Sequence, residues 1–265
     1  MLNLPDWLLS PWRTLRRRRL LAQPFPAEWL QTLERLPFYR QLPPACQERL
    51  RRDLRIVIAE RQWEGCNGVV VTDEMRVVIA ATACLLLLGL EHDHYANVSS
   101  ILIYPSSWHR AGGIDATGES APDRRVLGEA WRHGPVVLAW DASRHGSFRA
   151  DDGRNLVLHE FAHKLDLVDG YADGRPPLRA RGDAAPWRTT MQREFEALTK
   201  AADRGTRTLL DHYGATDPAE FFAVATECFF ERGPALEQRH PSLYAELRRF
   251  YGQDPARRVA TAARG

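Results

Sequence analysis

The chain has 265 residues, 44% hydrophobic and 26% charged, which suits one large globular domain or two small ones. A formal net charge of +2 makes no case for nucleic acid. The longest apolar run, Val77 to Leu90, falls short of the ~20 residues a transmembrane helix needs and reads as a buried helix. The cysteines, Cys46, Cys66, Cys84 and Cys228, are scattered without a CxxC pair, so free thiols in a reducing compartment are expected rather than a disulfide framework.

Residues 1–25 read as a basic arm. Its run Arg16 to Arg19 follows a short apolar stretch, the reverse of a secretory signal, so a cytoplasmic location is expected. Trp7, Leu8, Leu9 and Trp12 beside those arginines could touch an anionic membrane surface, but a solvated, partly disordered arm is the preferred reading.

Residues 26–95 read as a helical region. Trp29, Leu30, Leu33 and Leu36 fall at helical spacing. The stretch from Pro43 to Gly65 opens on prolines and closes on glycine, which predicts a helix with Leu50, Leu54, Ile56, Val57 and Ile58 inward. Val69 to Val71 suits a short strand, and a buried helix follows from about Asp73. His92 and His94 flank Asp93 in "EHDHY". An HxH pair can bind metal, but a polar loop after a helix is the reading taken here.

Residues 96–265 read as the catalytic region, packed with 26–95 as one unit. "SSILIYPSSW" is β-rich and stops at Pro105, and the polar stretch from Arg110 to Arg125 reads as loop. Val136, Val137, Leu138 and Trp140 make a short strand whose edge could pair with an extended peptide. A loop from Ser143 leads to a helix over Asn155 to Gly170, with Asp151 and Asp152 as candidate N-caps. The Gly/Pro-rich loop from Gly170 to Pro186 is expected to cover part of a groove beside that helix. Three helices follow: from Trp187, after Gly214, and from His240. Helices outnumber strands and do not alternate with them, so the fold class is α+β, mostly helical with a small mixed sheet.

The helix "NLVLHEFAHKLDLVDG" buries polar groups in an apolar run. His159 and His163, four apart, share one helix face with Cβ atoms about 5–6 Å apart, close enough to converge on one Zn²⁺. Glu160 is rotated about 100° from His159, so its carboxylate can reach a water on the metal without ligating it. This is the HExxH arrangement of zinc peptidases, and roughly 0.02 chance matches are expected in this composition.

A catalytic zinc needs a third protein ligand and an open position. A metzincin pattern would place glycine at 166 and histidine at 169, where this chain has Asp166 and Asp169. Asp169 could imitate the aspartate variant, but without glycine at 166 the turn is harder. Asp166 is better placed to orient a ligand imidazole. Glu220 opens a downstream helix with an apolar face and can project toward the first. It also completes a capping box with Asp217 and Pro218, and the residues alone leave the two roles open. Glu227, two turns on, could support a ligand. His133, His145 and His212 are candidates for the site mouth, His212 first because it adjoins Tyr213.

"HEFAHKLD" and "YGATDPAEFFAVATECFF" resemble the Mlc titration factor A family of bacterial zinc peptidases. The likeness extends to "ILIYP", "GPVVLAW" and "HPSLYAELRRFYGQDP". The two active-site segments also resemble the catalytic domain of anthrax lethal factor. The resemblance implies a zincin-like fold, one catalytic Zn²⁺ held by His159, His163 and Glu220, Glu160 as general base, and Tyr213 pointing into the site. It further implies aminopeptidase-type cleavage of short peptides, or sequestration of an Mlc-type sugar-responsive repressor with catalysis secondary. An intact Glu160 favours the enzyme, since a pure binder needs no general base. A purely structural zinc would want a further Cys or His near the motif, and none is evident.

Overall fold

In the computed structural model, residues 6–106, 108–110, 124–126, 128–130, 134–149, 152–178, 180 and 183–262 are described. Among them helices dominate a small sheet, the α+β class expected. The first helix, α1 (Asp6–Ala22), replaces the expected arm. Its Arg17 holds Glu60 through two N–H···O contacts of 2.6 Å, and Arg13 and Arg17 both reach Asp93. Arg55 donates to the carbonyls of Leu20 and Gln23 and so closes the end of the helix. Order in this segment comes from partners far away in sequence, which local patterning does not reveal.

Helices α2 (Ala27–Glu34), α3 (Pro37–Gln41) and α4 (Pro44–Glu60) follow. The α4 helix stops at Glu60, and the expected continuation to Gly65 is instead strand β1 (Gln62–Gly65). Val69 to Val71, expected as strand, lies outside any element. The reason is the fold-back at Gly65, where a Cβ would stand 1.9 Å from the Val69 carbonyl oxygen. The pairing with β2 ends there, with Gly65 opposite Ile103 and the Cys66 amide donating to the Ile103 carbonyl.

The buried helix α5 (Asp73–Leu87) is capped by Thr72, whose Oγ1 accepts the Met75 amide at 3.3 Å. Strand β2 (Val98–Tyr104) precedes a two-stranded ribbon, β3 (Trp108–Arg110) with β4 (Arg124–Val126). Strands β5 (Gly128–Ala130) and β6 (Gly134–Ala139) complete a four-stranded sheet in the order β1-β2-β6-β5. The first three strands are parallel and β5 is antiparallel to β6. The strand Val136–Ala139 is therefore interior. The edge expected there belongs to β5, because β2 and β5 take both of its ladders.

Trp140 begins α6 (Trp140–Phe148), where loop was expected from Ser143. Tertiary contacts explain it: Ser147 Oγ lies 3.1 Å from Thr82 Oγ1 of α5, and Ser143 Oγ donates to the Ala139 carbonyl. The remaining helices are α7 (Leu156–Asp166), α8 (Ala184–Asp203), α9 (Pro218–Glu231), α10 (Gly233–Arg239), α11 (Pro241–Tyr251) and α12 (Pro255–Ala262). One apolar cluster runs from Leu33 through α5 and the sheet to Ala256. Its densest part is aromatic: Phe222 lies within 6.5 Å, ring to ring, of Trp187, Phe250 and Tyr251.

Candidate metal centre

Two helices build the site. The α7 helix starts at Asn155, not at Asp151 or Asp152. Asn155 Oδ1 accepts the Leu158 amide at 3.1 Å, while Asp152 Oδ1 takes the Arg154 amide. The apolar face of α7 (Val157, Leu158, Phe161, Ala162) enters the core and turns His159 and His163 toward α9. The α9 helix starts with Pro218 at its first turn and Asp217 as N-cap, accepting the Ala219 and Glu220 amides at 2.8 and 2.9 Å. The cap aligns the first turn, and Glu220 points back at the histidines.

His159 Nε2 is 2.9 Å from Glu220 Oε2 and 3.2 Å from His163 Nε2, and His163 Nε2 is 3.4 Å from Glu220 Oε2. Tetrahedral zinc with bonds of about 2.0–2.1 Å separates its ligand atoms by about 3.3 Å, so two imidazoles and one carboxylate at these distances fit such an ion. Glu227 extends the set. Its Oε1 meets His159 Nδ1 at 2.8 Å and its Oε2 accepts the Asn155 amide, so one carboxylate ties the imidazole to the start of α7.

Electrostatics follow from this crowding. Burial alone would raise the Glu220 carboxyl, but its bonds to His159 and His163 outweigh that and hold it below the usual range. His159 is moved the other way: burial opposes its charge, and Glu220 and Glu227 raise it well above an ordinary histidine. Glu160 is 4% exposed, and burial, only partly offset by His159 and His163, pushes its carboxyl up to about 7.

Tyr213 lies in a 3-10 turn (His212–Ala215) capped by Asp211, and its hydroxyl reaches Glu220 Oε1 at 3.4 Å. Its ring is 5.9 Å from that of His159 and it remains 55% exposed, open to whatever enters the cleft. Burial of the hydroxyl, then Glu220, raises it to about 12, so it stays protonated.

The other candidates separate from the cluster. Asp166 Oδ2 accepts the Gly174 amide at 2.9 Å and anchors the following loop. His212 Nε2 turns to the Thr206 carbonyl at 2.9 Å, and exposed His145 lies 3.8 Å from Asp152. His133 falls outside the described residues. Asn155 was missed as a site residue. Its signal was available, an asparagine immediately before the first apolar turn. The loop expected over Gly170 to Pro186 gives way to α8 at Ala184, and its Gly174 meets the start of α9: at φ 72° it carries a carbonyl that accepts Trp187 Nε1, and a Cβ there would meet the Pro218 oxygen at 2.3 Å.

A two-histidine, one-carboxylate cluster beside a buried glutamate is the donor set of a metallopeptidase. Residues 12–252 match the family model described as glucose-regulated metallo-peptidase M90, and the chain belongs to that family. It is 38% identical over 94% of its length to an uncharacterized protein of Synechocystis sp., of which it covers 92%. It is 33% identical to the Mlc titration factor A of Serratia proteamaculans, covering 94% of both chains. To the Mlc titration factor A of Yersinia enterocolitica it is 31% identical, over 88% of both. No helix among the described residues is long and apolar enough to cross a membrane.

Proposed function

We propose that this protein is a zincin-like, zinc-dependent peptidase with His159, His163 and Glu220 as metal ligands. The observation that carries the reading is the convergence of His159 Nε2, His163 Nε2 and Glu220 Oε2 within 3.4 Å beside the buried Glu160. When bound there, zinc supplies a Lewis acid for the scissile carbonyl and makes water more acidic.

The chain's own residues do the rest. Glu227 accepts the His159 Nδ1 proton and leaves the Nε2 lone pair directed at the ion. Glu160, with a carboxyl poised near 7, takes the proton of the attacking water and returns it to the leaving amine. Tyr213 swings its hydroxyl from Glu220 to donate to the developing oxyanion. The outer edge of β5, which has no partner strand among the described residues and packs near α7, offers backbone hydrogen bonds to an extended substrate. Aminopeptidase-type action on short peptides, resting on the family likeness, and a cytoplasmic setting, in keeping with four free cysteines, complete the proposal.

A second reading is favoured by the relatives named Mlc titration factor A: the chain binds an Mlc-type repressor, with catalysis secondary. The deciding test is zinc content and aminopeptidase turnover of wild type beside Glu160→Gln, with purified repressor titrated in the presence and absence of chelator. About one tight zinc in both proteins and cleavage by wild type alone supports the peptidase. Zinc in both, cleavage by neither and tight repressor binding supports the second reading.

A further inference from the structure

A second set of donors lies away from the α7–α9 cleft, between α4 and the loop that follows α5. Asp53 on α4, His92 and His94 bring one ligand-capable atom each within 4.8 Å of one another. His94 Nε2 is 3.1 Å from Asp53 Oδ1, and His92 Nε2 is 3.4 Å from Asp53 Oδ2. The imidazole rings stand 4.6 Å apart at 83°. The α7–α9 cluster shows nearly the same picture, with ligand atoms 2.9 to 3.4 Å apart and rings at 4.9 Å and 78°. Both clusters pair two Nε2 atoms with one carboxylate.

The hydrogen bonding at Asp53 is incomplete. The residue is 7% exposed, yet its buried Oδ2 has no close hydrogen-bond partner among the described residues, with His92 Nε2 standing off at 3.4 Å. Arg49 Nε stops 3.7 Å from that oxygen. Asp93, between the two histidines, is turned away to Arg13 and Arg17 of α1. The loop holds His94 and Tyr95 at φ 51° and 57°, a conformation non-glycine residues seldom adopt and functional sites often impose. Tyr95 Oη donates to the Ala83 carbonyl, and Arg61 donates to the carbonyls of Tyr95 and Val98, so the imidazoles are presented from a fixed backbone.

We propose that Asp53, His92 and His94 form a second divalent-cation site, which clasps the 91–95 loop to α4 and, through Asp93, steadies α1. Two imidazoles with one carboxylate select Zn²⁺ or a similar borderline ion over Mg²⁺ or Ca²⁺. His92 Nδ1 accepts the His94 amide at 3.2 Å, so the neutral ring carries its proton on Nε2. An ion at Nε2 requires that proton to move to Nδ1, which gives up the hydrogen bond from the His94 amide. This second equivalent is therefore weaker than the one in the α7–α9 cleft. The site stands whether or not the chain cleaves peptides.

The test is equilibrium dialysis of the full chain against Zn²⁺, counting metal per chain. Wild type is expected to bind two equivalents in two steps. His92→Gln with His94→Asn, the asparagine chosen for its tolerance of positive φ, is expected to bind one, and His163→Gln is expected to keep the weaker one. A single equivalent in wild type, lost in His163→Gln, overturns the proposal and leaves a hydrogen-bonded clasp without an ion. Two equivalents retained by the double variant also overturn it. Hydrogen exchange of wild type alone covers a failure of the variants to fold. Protection of the amides around 91–95 should rise as the second equivalent binds, and no rise overturns the site.

Discussion

Glu160, Glu227 and Tyr213 stand close to the three proposed ligands but do different jobs, and substitution separates them. Glu160→Gln keeps the buried shape and removes the base, so turnover should fall about 10²–10⁴-fold with zinc content unchanged. Equal zinc and equal turnover would remove Glu160 from the chemistry. Glu227→Gln leaves all three proposed ligands in place but loosens the hold on His159 Nδ1. Zinc affinity should fall about 10–100-fold in a competition assay with a chelator, where an unchanged affinity would make Glu227 merely structural. Tyr213→Phe should lower kcat by about 10²-fold and move KM little, because its hydroxyl is proposed to act on charge that develops only in the transition state. A change confined to KM would assign the tyrosine to substrate binding.

The site exists because α7 and α9 start where they do. Asn155 caps one and Asp217 the other, and each cap sits within a few residues of a proposed ligand. Glu227 then accepts the Asn155 amide, so the start of α7 is tied to the C-terminal half of α9. The loop between α7 and α8 has its own fastening at Gly174, which combines φ 72° with a close approach to Pro218. Gly174→Ala should destabilise the fold by about 1–3 kcal/mol in chemical denaturation and disturb the start of α9. An unaffected midpoint would show that the loop relaxes freely. The Asp217 cap and the helical period were legible in the sequence because they act within a few residues, whereas Asp151 and Asp152, the caps expected for α7, gave way to Asn155. The α6 helix, the position of β1 and the interior place of β6 were not, since each is decided by a partner such as Thr82, Val69 or β5.

Across the whole molecule the core and the site share α9. Its Phe222, two residues after Glu220, is buried among Trp187, Phe250 and Tyr251, so Phe222→Ala should cost about 3–5 kcal/mol and weaken metal retention with it. The same helix carries Glu231, whose Oε2 accepts the Gly153 amide while Oε1 is buried without a partner among the described residues. Burial pushes this carboxyl up to about 8 from the 4.5 of an open chain. The folded protein therefore binds the proton more tightly than the unfolded one, and its contribution to stability is lost as pH rises from about 4.5 to 8. Stability curves of wild type and Glu231→Gln should diverge over that window, with the variant flatter; parallel curves would mean that Glu231 is charged throughout.

The sequence by itself determined the α+β class and the pairing of His159 and His163 with Glu160 beside them, and a family resemblance pointed to Glu220 and Tyr213 as further candidates. The fold class and the His159–Glu160–His163 spacing rest on helical periodicity and short spacings, which a chain carries in its local order; Glu220 and Tyr213 rest on the resemblance. Only the tertiary structure decided that Glu220 meets both imidazoles, that Glu227 fixes His159 to Asn155, that α1 is ordered, and that Asp53 faces His92 and His94. Each of these joins residues tens of positions apart. Such contacts form only when burial of a shared apolar core offsets the entropy of closing the loops between them.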